Sequence, residues 1–133
     1  MKWMLDTNTC IAIIKKHPAA LRELRGKSIG QVGISSIVLG ELAFGAAKSS
    51  RSKDAHEALG EFLLALEVAA FDEAAAMRYG NVRASLERRR KPIGPLDSLI
   101  GSHAHALDVI LVTSNTREFS QIDGLRVEDW TAL

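Results

Sequence analysis

Four acidic residues are the side chains of this sequence whose types and positions could do chemistry. Asp6 directly follows the short apolar run 3–5, and Glu41 lies on the apolar side of a helical segment. Asp97 begins a later helical segment, and Glu118 follows the apolar run that comes after it. Carboxylates that are crowded together repel one another and raise one another's pKa, and a bound divalent cation removes that repulsion. If the fold brings the four together, they form a site for a cation.

A site made of carboxylates selects hard cations, so we expect Mg²⁺, with Mn²⁺ as a substitute, rather than zinc. Asp6, Glu41 and Asp97 are the expected metal ligands, and Glu118 is the fourth acid of the catalytic site. One or two such ions promote phosphodiester hydrolysis because they lower the pKa of a water molecule and neutralise charge on the leaving oxygen. The residues alone therefore suggest a nuclease, on the condition that they converge in space.

Each acid also has an ordinary structural explanation, and that explanation is weakest for Glu41. Asp6 and Asp97 could cap helices, and Glu118 could be a surface acid. Glu41 has apolar neighbours at helical spacing and no basic residue within helical reach before Lys48. A glutamate on an apolar face costs several kcal/mol unless it is protonated or paired. A shared cation would remove this cost for Glu41.

Short apolar runs alternate with helical segments along the chain. The predicted strands are 3–5, 32–34, 68–71, 109–112 and, near the end, 125–127. The predicted helices are 10–14, 37–47, 54–66, 72–90 and 96–107. This alternation indicates an α/β fold, a Rossmann-like parallel sheet of about four to five strands sandwiched between helices. In such a sheet ligands bind outside the carboxyl ends of the strands, where we expect the four acids to lie.

Composition and charge exclude several classes of protein. The chain has 133 residues, of which 47% are hydrophobic and 25% charged, as is ordinary for a single domain spanning 1–133. The net charge of +1 excludes a polycation that coats nucleic acid. The single cysteine, Cys10, excludes an intramolecular disulfide and a zinc site built of cysteines. No apolar run reaches the ~18 residues that span a bilayer, and Asp6 interrupts the first one, so we expect a cytoplasmic protein without a membrane partner.

Four motifs occur in the order and at the separations found in one family of proteins. They are Met4-Leu5-Asp6-Thr7-Asn8, Gly40-Glu41-Leu42, Gly94-Pro95-Leu96-Asp97-Ser98-Leu99-Ile100 with His103-Ala104, and Val112-Thr113 through Thr116-Arg117-Glu118-Phe119. Together they resemble the PIN-domain family and, within it, the VapC toxins of bacterial toxin–antitoxin pairs. The tail 124–130 resembles the same subgroup, so the similarity spans essentially the whole chain.

The resemblance implies a PIN-like fold and a Mg²⁺-dependent endoribonuclease that forms a homodimer. It also implies a small cognate antitoxin of the VapB type, which holds the toxin inactive by inserting a basic side chain into the acidic pocket. The RNA substrate is a further expectation, because the subgroup with this tail resembles enzymes that cut initiator tRNA in the anticodon stem-loop. Such a toxin inhibits translation.

The resemblance also assigns the site residues. Asp6, Glu41 and Asp97 match the three core acids of the family. At the fourth position many PIN domains have an aspartate where this chain has Asn115, whereas this subgroup has Glu118 close by. Both residues are therefore candidates for the fourth position.

The dense basic run 88–91 contains the candidate substrate-binding residues Arg88, Arg89 and Arg90, a few residues before Asp97. Phosphate contacts of this kind position RNA without reading its sequence. The alternative is a solvated helix end, where the helix dipole favours cations. The two explanations are compatible.

Two other functions fit parts of the pattern. An aspartyl-phosphate hydrolase also has its nucleophilic aspartate after the first strand, but that chemistry needs a second acid two residues later, and position 8 is Asn8. A non-catalytic RNA-binding or regulatory domain could share the fold, although the intact acids argue against it. Growth arrest on expression, relieved by Asp6→Asn, distinguishes an active toxin from both.

Overall fold

A computed structural model describes residues 1–132 and contains a five-stranded sheet flanked by helices. The strands are β1 (Trp3–Leu5), β2 (Val32–Ser35), β3 (Glu67–Ala69), β4 (Ile110–Val112) and β5 (Val127–Glu128). The helices are α1 (Thr7–Ile14), α2 (Pro18–Arg25), α3 (Ser36–Lys48), α4 (Ser52–Leu63), α5 (Glu73–Arg88), α6 (Pro95–Leu107) and α7 (Thr116–Phe119). The α/β class predicted from the sequence is confirmed.

The sheet is parallel throughout, with the strand order β3-β2-β1-β4-β5. Met4 of β1 pairs with Gly33 of β2 on one side and with Leu111 of β4 on the other. The carboxyl ends of these three strands therefore meet at one edge of the sheet. The chain crosses from β1 to β2 in one direction and reaches β4 in the other, which opens a crevice beside β1 at that edge.

Polar caps begin the two helices that leave this edge from β1 and β2. Oδ1 of Asp6 accepts a hydrogen bond from Thr9 N at 2.8 Å and caps α1. Oγ of Ser35 accepts one from Ile37 N at 3.1 Å and caps α3. Because each cap satisfies a backbone N–H that has no partner within its helix, the caps fix where α1 and α3 start.

The central strands are buried on both faces. Met4 and Leu5 are neighbours in β1, so their side chains point to opposite faces of the sheet, and both are 0% exposed. Leu111 and Val112 of β4 are buried in the same way. This burial explains why the two strands read as continuous apolar runs rather than as alternating ones.

A buried polar pair joins α6 to the end of β2. Nδ1 of His103 lies 2.8 Å from Oγ of Ser35, and both residues are buried. Burial lowers the pKa of His103, against the raising effect of the negative charge on Asp72. The imidazole is therefore neutral at pH 7 and serves as a core residue with a satisfied ring nitrogen.

The structure corrects several predicted boundaries. Pro18 begins α2, a helix that the sequence pattern did not predict. Proline is well suited to the first turn of a helix because its absent N–H is not needed there. Helix α4 ends at Leu63 rather than at 66, and α7 was not predicted. Strand β5 covers Val127–Glu128 rather than 125–127. Among residues 1–132, no helix combines the length and the apolar character needed to cross a membrane.

Candidate metal and catalytic site

Asp6 lies in the crevice at the end of β1 and is only 5% exposed. Its backbone N–H donates to Val112 O at 3.0 Å, which keeps the ends of β1 and β4 together. Its Oδ1 is used in capping α1, and none of the side-chain hydrogen bonds within residues 1–132 reaches Oδ2. The side chain therefore has a structural role through one oxygen and leaves the other for a ligand.

Glu41 reaches the same crevice from α3. Oγ1 of Thr7, the residue after Asp6, donates a hydrogen bond to Glu41 Oε1 at 2.7 Å. This bond holds the Glu41 carboxylate beside the start of α1, and the side chain is half-buried there. The hydroxyl orients the carboxylate but, being neutral, does not compensate its charge.

Asp97 lies in the first turn of α6, where Gly94 rather than Asp97 occupies the capping position. Burial, followed by the negative charges of Glu118, Asp6 and Glu41, raises the pKa of Asp97 from 3.8 to about 6. The structure thus brings together the four acids that the sequence singled out, because the other three lie close enough to act on Asp97 through space.

Both carboxylate oxygens of Glu118 are hydrogen-bonded. Gly94 N donates to Oε1 at 3.1 Å, and Asn115 Nδ2 donates to Oε2 at 2.6 Å. The backbone N–H of Asn115 is held in turn by Thr113 Oγ1 at 2.9 Å. Asn115 and Glu118, the two candidates for the fourth position, therefore form one hydrogen-bonded unit in which the amide orients the acid.

Sequence reasoning missed the Gly94 N–H as a partner of Glu118. The available signal was the Gly-Pro pair at 94–95, since a glycine and a proline at the start of a helix leave backbone N–H groups without helical partners. Such groups attract a carboxylate, but only the folded chain shows which carboxylate is within reach.

The donor set fits a hard divalent cation. The four side chains supply only carboxylate oxygens, and none of the ion pairs within residues 1–132 includes any of them. In the same part of the chain, no three acidic, histidine or cysteine side chains already surround a point at ligand distances. The cluster is therefore open rather than a preformed cage. Mg²⁺ suits such a cluster because it keeps several waters and needs few carboxylates.

The basic run divides into one anchored and two exposed arginines. Arg89 Nη2 donates to Gln121 O at 2.8 Å and its Nε donates to Ser85 Oγ at 3.2 Å, which ties the end of α5 to the segment after α7. Arg88 and Arg90 are exposed, and Arg90, two residues after the end of α5, adopts the left-handed conformation with φ of 54°. Of the three candidate phosphate contacts, these two extend into solvent.

The chain is similar to known proteins in both sequence and fold. Residues 3–125 match the family model of the PIN domain. A relative from Shigella flexneri, named tRNA(fMet)-specific endonuclease VapC, is 44% identical over 131 residues, which cover 98% of this chain and 99% of the relative. The crystal structure of DNA-bound VapBC from Salmonella typhimurium is 43% identical with a TM-score of 0.92 and covers 98% of both chains. VapBC2 from Rickettsia felis, bound to a promoter DNA fragment, is 38% identical with a TM-score of 0.89 and covers 98% of this chain and 99% of that chain.

Proposed function

The chain belongs to the PIN-domain family, and on that premise we propose that it is a Mg²⁺-dependent endoribonuclease, a toxin of the VapC type in a type II toxin–antitoxin pair. The observation that carries the proposal is the position of Asp97 among three further acids: burial, and after it the charges of those acids, raises the pKa of Asp97. Like charges held together destabilise a fold, so a cluster of this kind indicates a cationic ligand.

Asp6, Glu41 and Asp97 hold the cation in this proposal. Asp6 contributes the oxygen that does not cap α1, and Glu41 is held in place by the Thr7 hydroxyl. Glu118 keeps its hydrogen bonds to Gly94 and Asn115 and adds to the negative potential that attracts the ion. When bound, Mg²⁺ lowers the pKa of water and neutralises charge on the phosphate and on the leaving oxygen.

We propose initiator tRNA as the substrate, cut in its anticodon stem-loop in the cytoplasm. This rests on the Shigella relative, which is named for tRNA(fMet) and aligns along almost the whole of both chains. The proposed regulatory partner is an antitoxin of the VapB type, since the Salmonella and Rickettsia structures are VapBC complexes. A basic side chain of such an antitoxin, placed among the four acids, would offset the repulsion that the cation offsets and so exclude it. We also propose that two copies of the chain associate.

Cleavage of purified tRNA tests this proposal. The chain is incubated with initiator tRNA, with an elongator tRNA for comparison, and the 5′ ends of the fragments are sequenced. We expect initiator tRNA to be cut in Mg²⁺ or Mn²⁺, to remain intact in EDTA, and to be cut again when Mg²⁺ is restored. Asp97→Asn is expected to abolish cleavage, whereas Asp54→Asn, which changes an exposed acid paired with Arg51, retains it.

Two results would overturn the proposal. Cleavage that persists in excess EDTA would exclude the metal-dependent mechanism. Tight binding of the tRNA without any cleavage in Mg²⁺ would instead support a non-catalytic RNA-binding domain of the same fold.

A further inference from the structure

A small cavity lies against the first turn of α6, on the same turn as Asp97. Its volume is about 170 Å³, and its wall is formed by the C-terminal half of α5, the segment before α6 and the start of α6. The wall includes Tyr79, Arg83, Glu87, Ile93, Pro95 and Ser98. Pro95 of the wall follows Gly94, whose N–H binds Glu118, and Ser98 of the wall follows Asp97, so the cavity borders the segment that carries Asp97 and binds Glu118.

Arg83 supplies the positive charge of the cavity wall. Its Nη1 donates to the Tyr79 hydroxyl at 3.0 Å, and its Nε donates to Glu87 Oε1 at 3.1 Å. These partners lie one turn before and one turn after Arg83 on the same helix, so they fix the guanidinium from both sides. The ion pair with Glu87 is exposed and therefore weak, so a phosphate group can replace Glu87 at little cost.

Tyr79 is the single tyrosine of the chain, and its half-buried ring contributes to the wall. Leu86, Pro92, Ile93 and Pro95 supply apolar surface to the rest of that wall, and Glu87 and Ser98 are its other polar members. Unpaired RNA bases are recognised by stacking on aromatic side chains and arginine planes, with cationic groups binding the backbone. The cavity thus offers the two kinds of contact that a single unstacked nucleotide requires.

We propose that this cavity binds one unpaired nucleotide of the RNA substrate, adjacent to the phosphodiester that is cut, with Tyr79 stacking on the base and Arg83 binding its phosphate. The inference rests on the proposed function and adds Tyr79 and Arg83, which lie outside the basic run 88–91, to the candidate substrate-binding residues. Tyr79 and Arg83 act as one unit, because the hydrogen bond between them holds the guanidinium against the cavity.

Binding measured separately from cleavage tests the subsite. A fluorescently labelled anticodon stem-loop of initiator tRNA is titrated with protein carrying Asp97→Asn, so that the RNA stays intact, and the anisotropy is followed. Tyr79→Leu keeps apolar volume but removes the aromatic face, and we expect it to weaken binding by about fivefold or more. Tyr79→Phe keeps the face and is expected to stay within about threefold of the parent.

Arg83→Gln and Arg22→Gln form a second, matched pair. Both remove one positive charge from an exposed arginine, but Arg22 lies on α2 and does not line the cavity. We expect Arg83→Gln to weaken binding and to lower its salt dependence, because one phosphate contact is lost, and Arg22→Gln to leave both unchanged. With Asp97 intact, Tyr79→Leu is expected to raise KM more than it lowers kcat.

The outcomes separate the subsite from the proposed function. If the unaltered chain cuts the tRNA but Tyr79→Leu and Arg83→Gln bind the stem-loop as tightly as the parent, the subsite is wrong and the endoribonuclease stands. If the unaltered chain neither binds nor cuts RNA in Mg²⁺, the proposed function fails and the subsite fails with it. Thermal melts of each variant check its folding, and should Tyr79→Leu unfold, Arg83→Gln decides, because Arg83 is an exposed residue.

Discussion

Replacement of Asp97 by asparagine is expected to stabilise the metal-free protein at neutral pH. The pKa of Asp97 is raised from 3.8 to about 6, so folding favours its protonated form. One pKa unit corresponds to about 1.36 kcal/mol, which puts the full shift at about 3 kcal/mol. Because the side chain is half-exposed, solvent screening reduces this to roughly 1 kcal/mol. For a chain of this length the gain corresponds to a rise in Tm of about 2–5 °C.

The raised pKa of Asp97 also predicts how the stability of the protein changes with pH. An acid whose folded pKa is raised contributes stability below its unfolded pKa, near 3.8, and that contribution is lost as the pH rises through about 6. Asp97→Asn removes the loss, so the melting curves of variant and parent in EDTA are expected to differ at pH 7.5 and to coincide near pH 4. Added Mg²⁺ is expected to raise the Tm of the parent and to leave that of Asp97→Asn nearly unchanged.

A control and an opposite result make this test decisive. Asp123→Asn alters an acid that is 85% exposed and only loosely paired with Arg89, so we expect almost no change in Tm in either buffer. The reasoning would be refuted if Asp97→Asn melted below the parent in EDTA at pH 7.5. It would equally be refuted if Mg²⁺ stabilised Asp97→Asn as much as it stabilised the parent.

Three further predictions follow from the site and its supports. Expression of the chain is expected to arrest bacterial growth, and Asp6→Asn is expected to restore growth, measured as colony counts. Growth arrest by the Asp6→Asn variant would contradict the proposed role of Asp6. Gly33→Ala is expected to lower the unfolding free energy by about 2–3 kcal/mol in urea titrations, because the added Cβ would overlap the Glu67 carbonyl oxygen of β3. The control Gly60→Ala has open space around the added Cβ and is expected to stabilise α4. Ser35→Ala is expected to cost about 2 kcal/mol in the same assay, since it removes the cap of α3 and the polar partner of His103, and a loss near zero would contradict that pairing.

Much of the sheet could be predicted from the sequence because its central strands are buried on both faces. Met4 and Leu111 belong to short, continuous apolar runs that are typical of strands covered on both faces, and the alternation of such runs with helical segments predicts a parallel sheet. Helix α2 was not predicted because a proline such as Pro18 is compatible both with the end of one helix and with the start of the next. The ends of α4 and β5 depend on packing with neighbouring elements, which local patterns do not record.

The site was predictable where its residues directly follow or begin elements at the carboxyl edge, as Asp6 and Asp97 do. The hydrogen bonds of Glu118 were not, because Gly94 lies 24 positions away and reaches it only after α6 has packed. The cavity at Tyr79 could not be predicted for the same reason, since its wall is formed by both α5 and α6. Such features need the three-dimensional arrangement of distant segments, whereas residue type and order were enough for the acids.

The divided use of Asp6 also limits how this protein can lose its activity over evolutionary time. One oxygen of its carboxylate caps α1, and the other is the oxygen that we propose binds the cation. A mutation to an aliphatic residue would remove both contributions. The resulting protein would be inactive, and its helix α1 would also be less stable. Inactive descendants that stay well folded are therefore expected to keep a side chain at position 6 that can still accept the Thr9 hydrogen bond, such as asparagine or serine.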